Sequence, residues 1–299
     1  MPTKHIQLKQ PEHLSNYDRY CRALRTIEEF GVAVKRNSRL DQYRKDLAEL
    51  ASSKSESDKR VIARWSFAAI EADEVIAIAE VLSKYPDETA LAKLAAIAKG
   101  RYKRGTDGNQ IARNTQFELF VWALLKQSKL PIKFGDPMKG EADFVVMAMG
   151  QELQLEAKRL NSEKNLGSTV RKARKHFSST RPGVVCMSID HAAFGEDGVI
   201  GLEGNETHID ATKYHNRLIT AFYERRRGEI ENRLGVNEAC VGMMLFSRIP
   251  TLSKRTSSMM VSNAHRGLHL HQKGSSARYS FEFILGHLEK TWGEFPATA

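Results

Sequence analysis

The residue types best suited to chemistry stand in Gln154-Leu155-Glu156-Ala157-Lys158. Strand alternation sends Leu155 and Ala157 to one face and Gln154, Glu156 and Lys158 to the other, so a carboxylate and an ammonium point the same way. The run before it, Glu141-Ala142-Asp143-Phe144-Val145-Val146, reads as the partner strand. With Met149 and Gly150 as the two residues of a tight turn, counting back along the hairpin sets Asp143 opposite Glu156. A register slip of one residue would turn the carboxylates to opposite faces, so the cluster depends on that turn. Two carboxylates and an ammonium together can support metal-assisted hydrolysis of a phosphodiester. Asp143 and Glu156 are hard oxygen ligands suited to Mg2+ or Mn2+, cations that keep positions open for water and a phosphate oxygen. Lys158 would orient the attacking water and offset charge growing on the phosphate. Alternating charge on a strand also marks an ordinary solvated sheet face.

A fourth group comes from a helix expected over Gln116 to Gln127, apolar at nearly every position from Phe117 to Leu125 with Glu118 the exception. A carboxylate there is costly without a partner, and a nearby divalent cation would be one. Thr115 and Glu118 also fit a capping box, Thr-x-x-Glu, that opens the helix, and the two roles can coexist.

The elements that must position these groups follow from the pattern of apolar residues. The first hundred residues read as helices, with Val61, Ile62, Trp65, Ala69, Ile70 and the run Val75 to Leu82 at helical spacing. A further helix runs from Glu88 to Lys99, entered through Pro86-Asp87 and stopped by Gly100. Gly100 to Asn109 is basic and glycine-punctuated and marks a boundary between a helical region, 1–105, and a second region, 106–299. After the boundary come the helix with Glu118, strands at Ile132 to Phe134, Ala142 to Met149 and Glu152 to Lys158, a basic helix around Val170 to Phe177, and an apolar strand at Val184 to Ile189. That order predicts an α/β fold, a mixed sheet flanked by helices. Beyond it lie a helix at Ala211 to Ile230, a strand at Ala239 to Ser247, shorter strands at Ser258 to Ser262 and Leu268 to His271, and a helix near Phe281 to Lys290.

Composition sets the outer limits. At 299 residues with 41% hydrophobic and 27% charged residues, the chain can bury a real core, which excludes a collagen, a disordered tail and a disulfide scaffold. No stretch reaches the roughly 18 uninterrupted apolar residues of a membrane span, and Met1 to Leu14 is polar, so a cytoplasmic protein with no membrane partner is expected. Cys21, Cys186 and Cys240 form no Cys-x-x-Cys pair, which removes a zinc knuckle or a dithiol motif. Net charge is +10, from 46 Lys plus Arg against 36 Asp plus Glu. The first hundred residues hold 17 basic and 15 acidic side chains, which leaves 29 and 21 for the rest, so the surplus lies with the candidate site. A basic surface favours a polyanion such as nucleic acid.

Glu118 on a helix, Asp143 at the start of a strand and Glu156-Ala157-Lys158 on the next resemble the PD-(D/E)XK nuclease superfamily, with its restriction-endonuclease-like fold. The resemblance covers Asn109 to Asp190, and the element order above is similar to that family's core. It implies that Asp143 and Glu156 bind the metal with the backbone carbonyl of Ala157, that Lys158 activates water, and that Glu118 assists metal binding. One departure is that Ala142, not Pro, precedes Asp143; Asp136-Pro137 reverses the order and makes Asp136 a second choice. The basic helix carries Arg171, Lys172, Arg174 and Lys175, with Arg171, Arg174 and Lys175 on one side, and the family's equivalent helix lies near the site. Phosphate contact there competes with a plain solvated helix face.

The expectation is therefore a Mg2+-dependent endonuclease acting on DNA, with Mn2+ able to substitute, in prokaryotic defence or DNA processing. The alternatives are a nucleic-acid-binding or scaffolding subunit that needs a partner for activity and an RNA-directed nuclease. Partners in view are DNA, a helicase or sensor subunit, and a second copy in a homodimer. Arg225-Arg226-Arg227 suits either a helix C-terminus or nucleic acid, and His265, His269 and His271 suit a polar strand better than a metal site.

Overall fold

The computed structural model of the protein describes residues 16–52, 59–99, 109–190, 192, 200–202, 208–235, 239–253, 258–269 and 275–294. The linking segment 100–108 and His271 lie outside the described residues. Four helices come first: α1 (Asn16–Glu29), α2 (Arg39–Ser52), α3 (Lys59–Lys84) and α4 (Glu88–Ala98). The mixed part follows with α5 (Asn109–Gln127), β1 (Ile132–Phe134), β2 (Phe144–Ala148), β3 (Gln151–Arg159), α6 (Leu166–Ala173), β4 (Gly183–Ser188), β5 (Ile200–Leu202), α7 (His208–Gly235), β6 (Cys240–Ser253), β7 (Ser258–His269) and α8 (Ser276–Glu294).

The fold is α/β, with a seven-stranded mixed sheet in the order β1-β2-β3-β4-β6, β7 on the far edge and β5 beside the distal end of β6. β1, β2 and β3 are antiparallel neighbours, β4 runs parallel to β3 and to β6, and β6 and β7 form a long antiparallel hairpin. Where separate strands at Ser258 and Leu268 are expected, the backbone forms one strand paired with β6 along its whole length. The core is continuous on each face. Phe144, Val146, Leu153, Leu155 and Ala157 pack with α1 to α5 and α8, whereas Val185, Met187, Met243 and Leu245 pack with α6 and α7. Helices thus cover both faces, as strands apolar on both sides require.

Local chemistry accounts for the elements nearest the site. Asp87 caps α4 by accepting the Ala90 amide at 3.0 Å. Met149 and Gly150 both take positive φ, 51° and 76°, as a two-residue hairpin turn between Ala148 and Gln151 requires. α5 begins at Asn109, not near Gln116, so Thr115 lies two turns inside the helix and the capping-box reading of Thr115 and Glu118 fails. Its first turns are polar in composition yet partly buried: Arg113 and Gln116 both lie inside the protein.

These two residues belong to a charged cluster between α3 and the sheet. Glu71, fully buried, is met by Arg39 at 3.3 Å, Arg113 at 3.2 Å and Arg159 at 2.9 Å, while Gln116 donates to it at 3.0 Å. Glu74 takes Arg159 at 2.6 Å and Gln116 at 2.7 Å, and Arg248 of β6 pairs with Asp73. Arg159 is raised further above its ordinary range by Glu74 and Glu71, which outweigh the opposing effect of burial. The four arginines come from α2, α5, β3 and β6, so the cluster ties residues on both sides of the 100–108 segment to one helix.

Candidate active site

The hairpin turn sets the geometry. β2 and β3 pair Phe144 with Leu155 and Val145 with Gln154, and the same register carried one residue further sets Asp143 opposite Glu156. Their side chains take over the ladder at that point: Asp143 Oδ2 accepts the Ala157 amide at 2.8 Å, and Glu156 Oε2 accepts the Asp143 amide at 3.2 Å. Each carboxylate is thereby fixed by the other's strand. The β4 partners of Glu156 and Lys158 are Val185 and Met187, both on the α6/α7 side of the sheet.

Lys158 closes the cluster. Its Nζ lies 3.4 Å from Asp143 Oδ2 and also contacts Glu156 Oε1. Glu156 is buried, whereas the Asp143 and Lys158 side chains keep 23% and 27% of their exposure, so the site opens to solvent on their side. Burial and the Asp143 charge push the Glu156 carboxyl up, against the pull of Lys158. Burial alone would lower Lys158, but Asp143 and Glu156 outweigh it and hold the ammonium charged.

Two groups that sequence reasoning missed approach the same cluster. His176, in a short 3-10 turn after α6, sets Nε2 3.8 Å from Glu156 Oε1. Lys93 of α4 sets Nζ 2.6 Å from Glu118 Oε1. Glu118 is pushed up to about 7 by burial first and by the Asp143 charge second, with Lys93 and Lys158 opposing. The structure therefore brings Glu118, Asp143, Glu156 and Lys158 into one electrostatic neighbourhood. No signal in the strand pattern pointed to Lys93, on a helix far away in the chain, and His176, at the end of the basic segment expected near the site, was passed over for its lysines and arginines.

The donor set suits a hard divalent cation. Asp143 and Glu156 offer carboxylate oxygens side by side, and an ammonium already bridges them, which shows that the geometry favours positive charge between them. Among the described residues no three His, Cys, Asp or Glu side chains converge closely enough to cage a metal by themselves. Asp143 and Glu156 are the two side chains here that could hold such an ion.

The basic residues divide. Arg171, Lys172 and Lys175 are exposed on α6 and its 3-10 extension, which pack against β3. Arg174, expected beside Arg171 and Lys175, instead directs its guanidinium to the Arg233 carbonyl near the end of α7, because the α-helix stops at Ala173 and the tighter turn rotates it away. Arg225 and Arg226 reach Glu163 at 2.6 and 3.1 Å, and Arg227 pairs with Glu231 at 2.9 Å. Asp136 caps a 3-10 turn, accepting the Met138 amide, so its carboxylate has a local structural use. No helix among the described residues is long and apolar enough to cross a membrane. Compared with protein-family models, curated proteins and solved structures, the chain gives no significant match to any of them.

Proposed function

We propose that this protein is a metal-dependent nuclease that hydrolyses phosphodiester bonds of DNA at the Asp143, Glu156 and Lys158 cluster. The observation that carries this reading is the side-by-side placement of two carboxylates on adjacent strands with an ammonium bridging them at a solvent-open edge. Asp143, Glu156 and the Ala157 carbonyl would hold Mg2+, or Mn2+ in its place, and Glu118 would support them. When bound, the cation would polarise a phosphate oxygen and make water a better nucleophile. Lys158 orients that water and balances charge as it grows on the phosphate. Arg171, Lys172 and Lys175 offer contacts to flanking phosphates, which would position a strand without reading its sequence. The positive surplus of residues 101–299 favours the approach of such a polyanion.

The test is incubation of purified wild type, Glu156→Ala and Lys158→Ala with supercoiled and linear duplex, single-stranded DNA and RNA, in Mg2+, Mn2+ or EDTA. Wild type is expected to cut DNA only with metal. Each variant should lose at least about a hundredfold in rate while retaining DNA binding. Cleavage undiminished in either variant removes that residue from the site. Cleavage of RNA alone changes the substrate. DNA binding with no cleavage under any condition favours a binding subunit.

A further inference from the structure

Resting on the nuclease reading, we infer that the N-terminal helices contribute a substrate-binding residue to the site: Lys93, as a second phosphate-contacting ammonium beside Lys158. Lys93 lies on α4, before the 100–108 segment, yet its Nζ is 2.6 Å from Glu118 Oε1 and 5.7 Å from the centre of the Phe134 ring. Phe134 pairs with Phe144, the residue next to Asp143, so Lys93 lies by the strand end that carries the site and meets the site through Glu118, whose carboxyl feels the Asp143 and Lys158 charges. About a third of its side chain remains exposed, so the ammonium is reachable from solvent while Glu118 beneath it is nearly covered.

Charge balance gives the pairing a function. Glu118, Asp143 and Glu156 are three carboxylates, and Lys93 and Lys158 are two ammoniums, so the fully ionised cluster is one charge negative. A divalent cation reverses that sign to one positive, and a phosphodiester then brings the whole to neutrality. Without Lys93 the metal-loaded cluster would already be neutral, so Lys93 supplies the positive charge that the incoming phosphodiester balances. Glu118 thus serves as the resting place of the Lys93 ammonium, and a phosphate oxygen arriving beside the cation competes for it. A lysine suits this exchange, being a single mobile charge on a flexible stem.

The experiment compares wild type with Lys93→Gln, which keeps a donor for Glu118 but removes the charge, and Lys93→Arg, which keeps the charge. Steady-state cleavage of a duplex oligonucleotide in Mg2+ gives kcat and KM, and DNA binding across a salt series in EDTA and in Ca2+ gives the slope of log affinity against log salt. Lys93→Gln is expected to raise KM about tenfold, to leave kcat within about threefold, and to make the salt slope shallower by about 0.9, the value of one lost phosphate contact on duplex DNA. Lys93→Arg should recover most of both effects. A purely structural lysine would lower thermal stability without moving the salt slope, so an unchanged slope and KM in a wild type that cleaves overturns the inference and leaves the nuclease reading standing. A wild type that cleaves nothing overturns both.

Discussion

At the scale of single residues, the site is a problem of placing like charges together. Glu118 and Glu156 both have carboxyls raised by burial and by Asp143, and Glu118 reaches about 7. A carboxyl whose folded pKa exceeds its unfolded value binds a proton in the native state that the unfolded chain has lost. Its contribution to stability therefore falls as pH rises from about 4.5 to 7. In the metal-free protein, Glu118→Gln should accordingly gain stability over wild type on going from pH 5 to pH 8, by up to about 3 kcal/mol. Melting curves of both proteins across that range measure the difference, and a gap independent of pH would show that Glu118 is already ionised at pH 5. Asp143, Glu156 and Lys158 were legible in the sequence because strand alternation and a two-residue turn turn spacing into geometry. Lys93 and His176 were not, since no local period links them to β3.

At the scale of elements, the hairpin β2-β3 and the strand beside it hold Asp143 in place. Gly135, just past β1, donates its amide to the Asp143 carbonyl at 3.0 Å, and a Cβ there would stand 1.8 Å from the Ala142 carbonyl oxygen. Backbone cannot yield as a flexible side chain can, so Gly135→Ala must push the start of β2 away. The variant is expected to lose about 1–3 kcal/mol of stability. It should also lose cleavage by about a hundredfold from the shift of Asp143, measurable as Tm and kcat on the same preparation. The strand β4 was readable from its apolar run, and the Asp87 cap from its Pro-Asp signal. The first two turns of α5, residues 109–115, were hidden because they are mostly polar, and hydrophobic periodicity counts a residue such as Arg113 as exposed although it is buried among ion partners.

At the scale of the whole molecule, the helical layer and the sheet share one core and one set of buried charges. Removing residues 1–105 would uncover the side of α5 that packs on α3 and α4, and would leave Arg113, Arg159 and Arg248 without Glu71, Asp73 and Glu74. A chain of residues 106–299 is expected to be unfolded or aggregated, as read by circular dichroism and gel filtration. The full-length Glu71→Ala variant should lose about 3–5 kcal/mol, the cost of leaving buried charge uncompensated, and a denaturant titration would check it. A boundary placed by composition at residues 100–109 marks a change of sequence character, but the mutual dependence of the two sides is carried by side chains at separations that no local pattern records. That cluster also bears on how such a protein could change over generations. Its four arginines and three carboxylates are spread over α2, α3, α5, β3 and β6, so a recombination joining this helical layer to a foreign sheet would inherit half of a lock. Descendants are expected to exchange the two halves only together, or to replace the charged set in several coordinated steps.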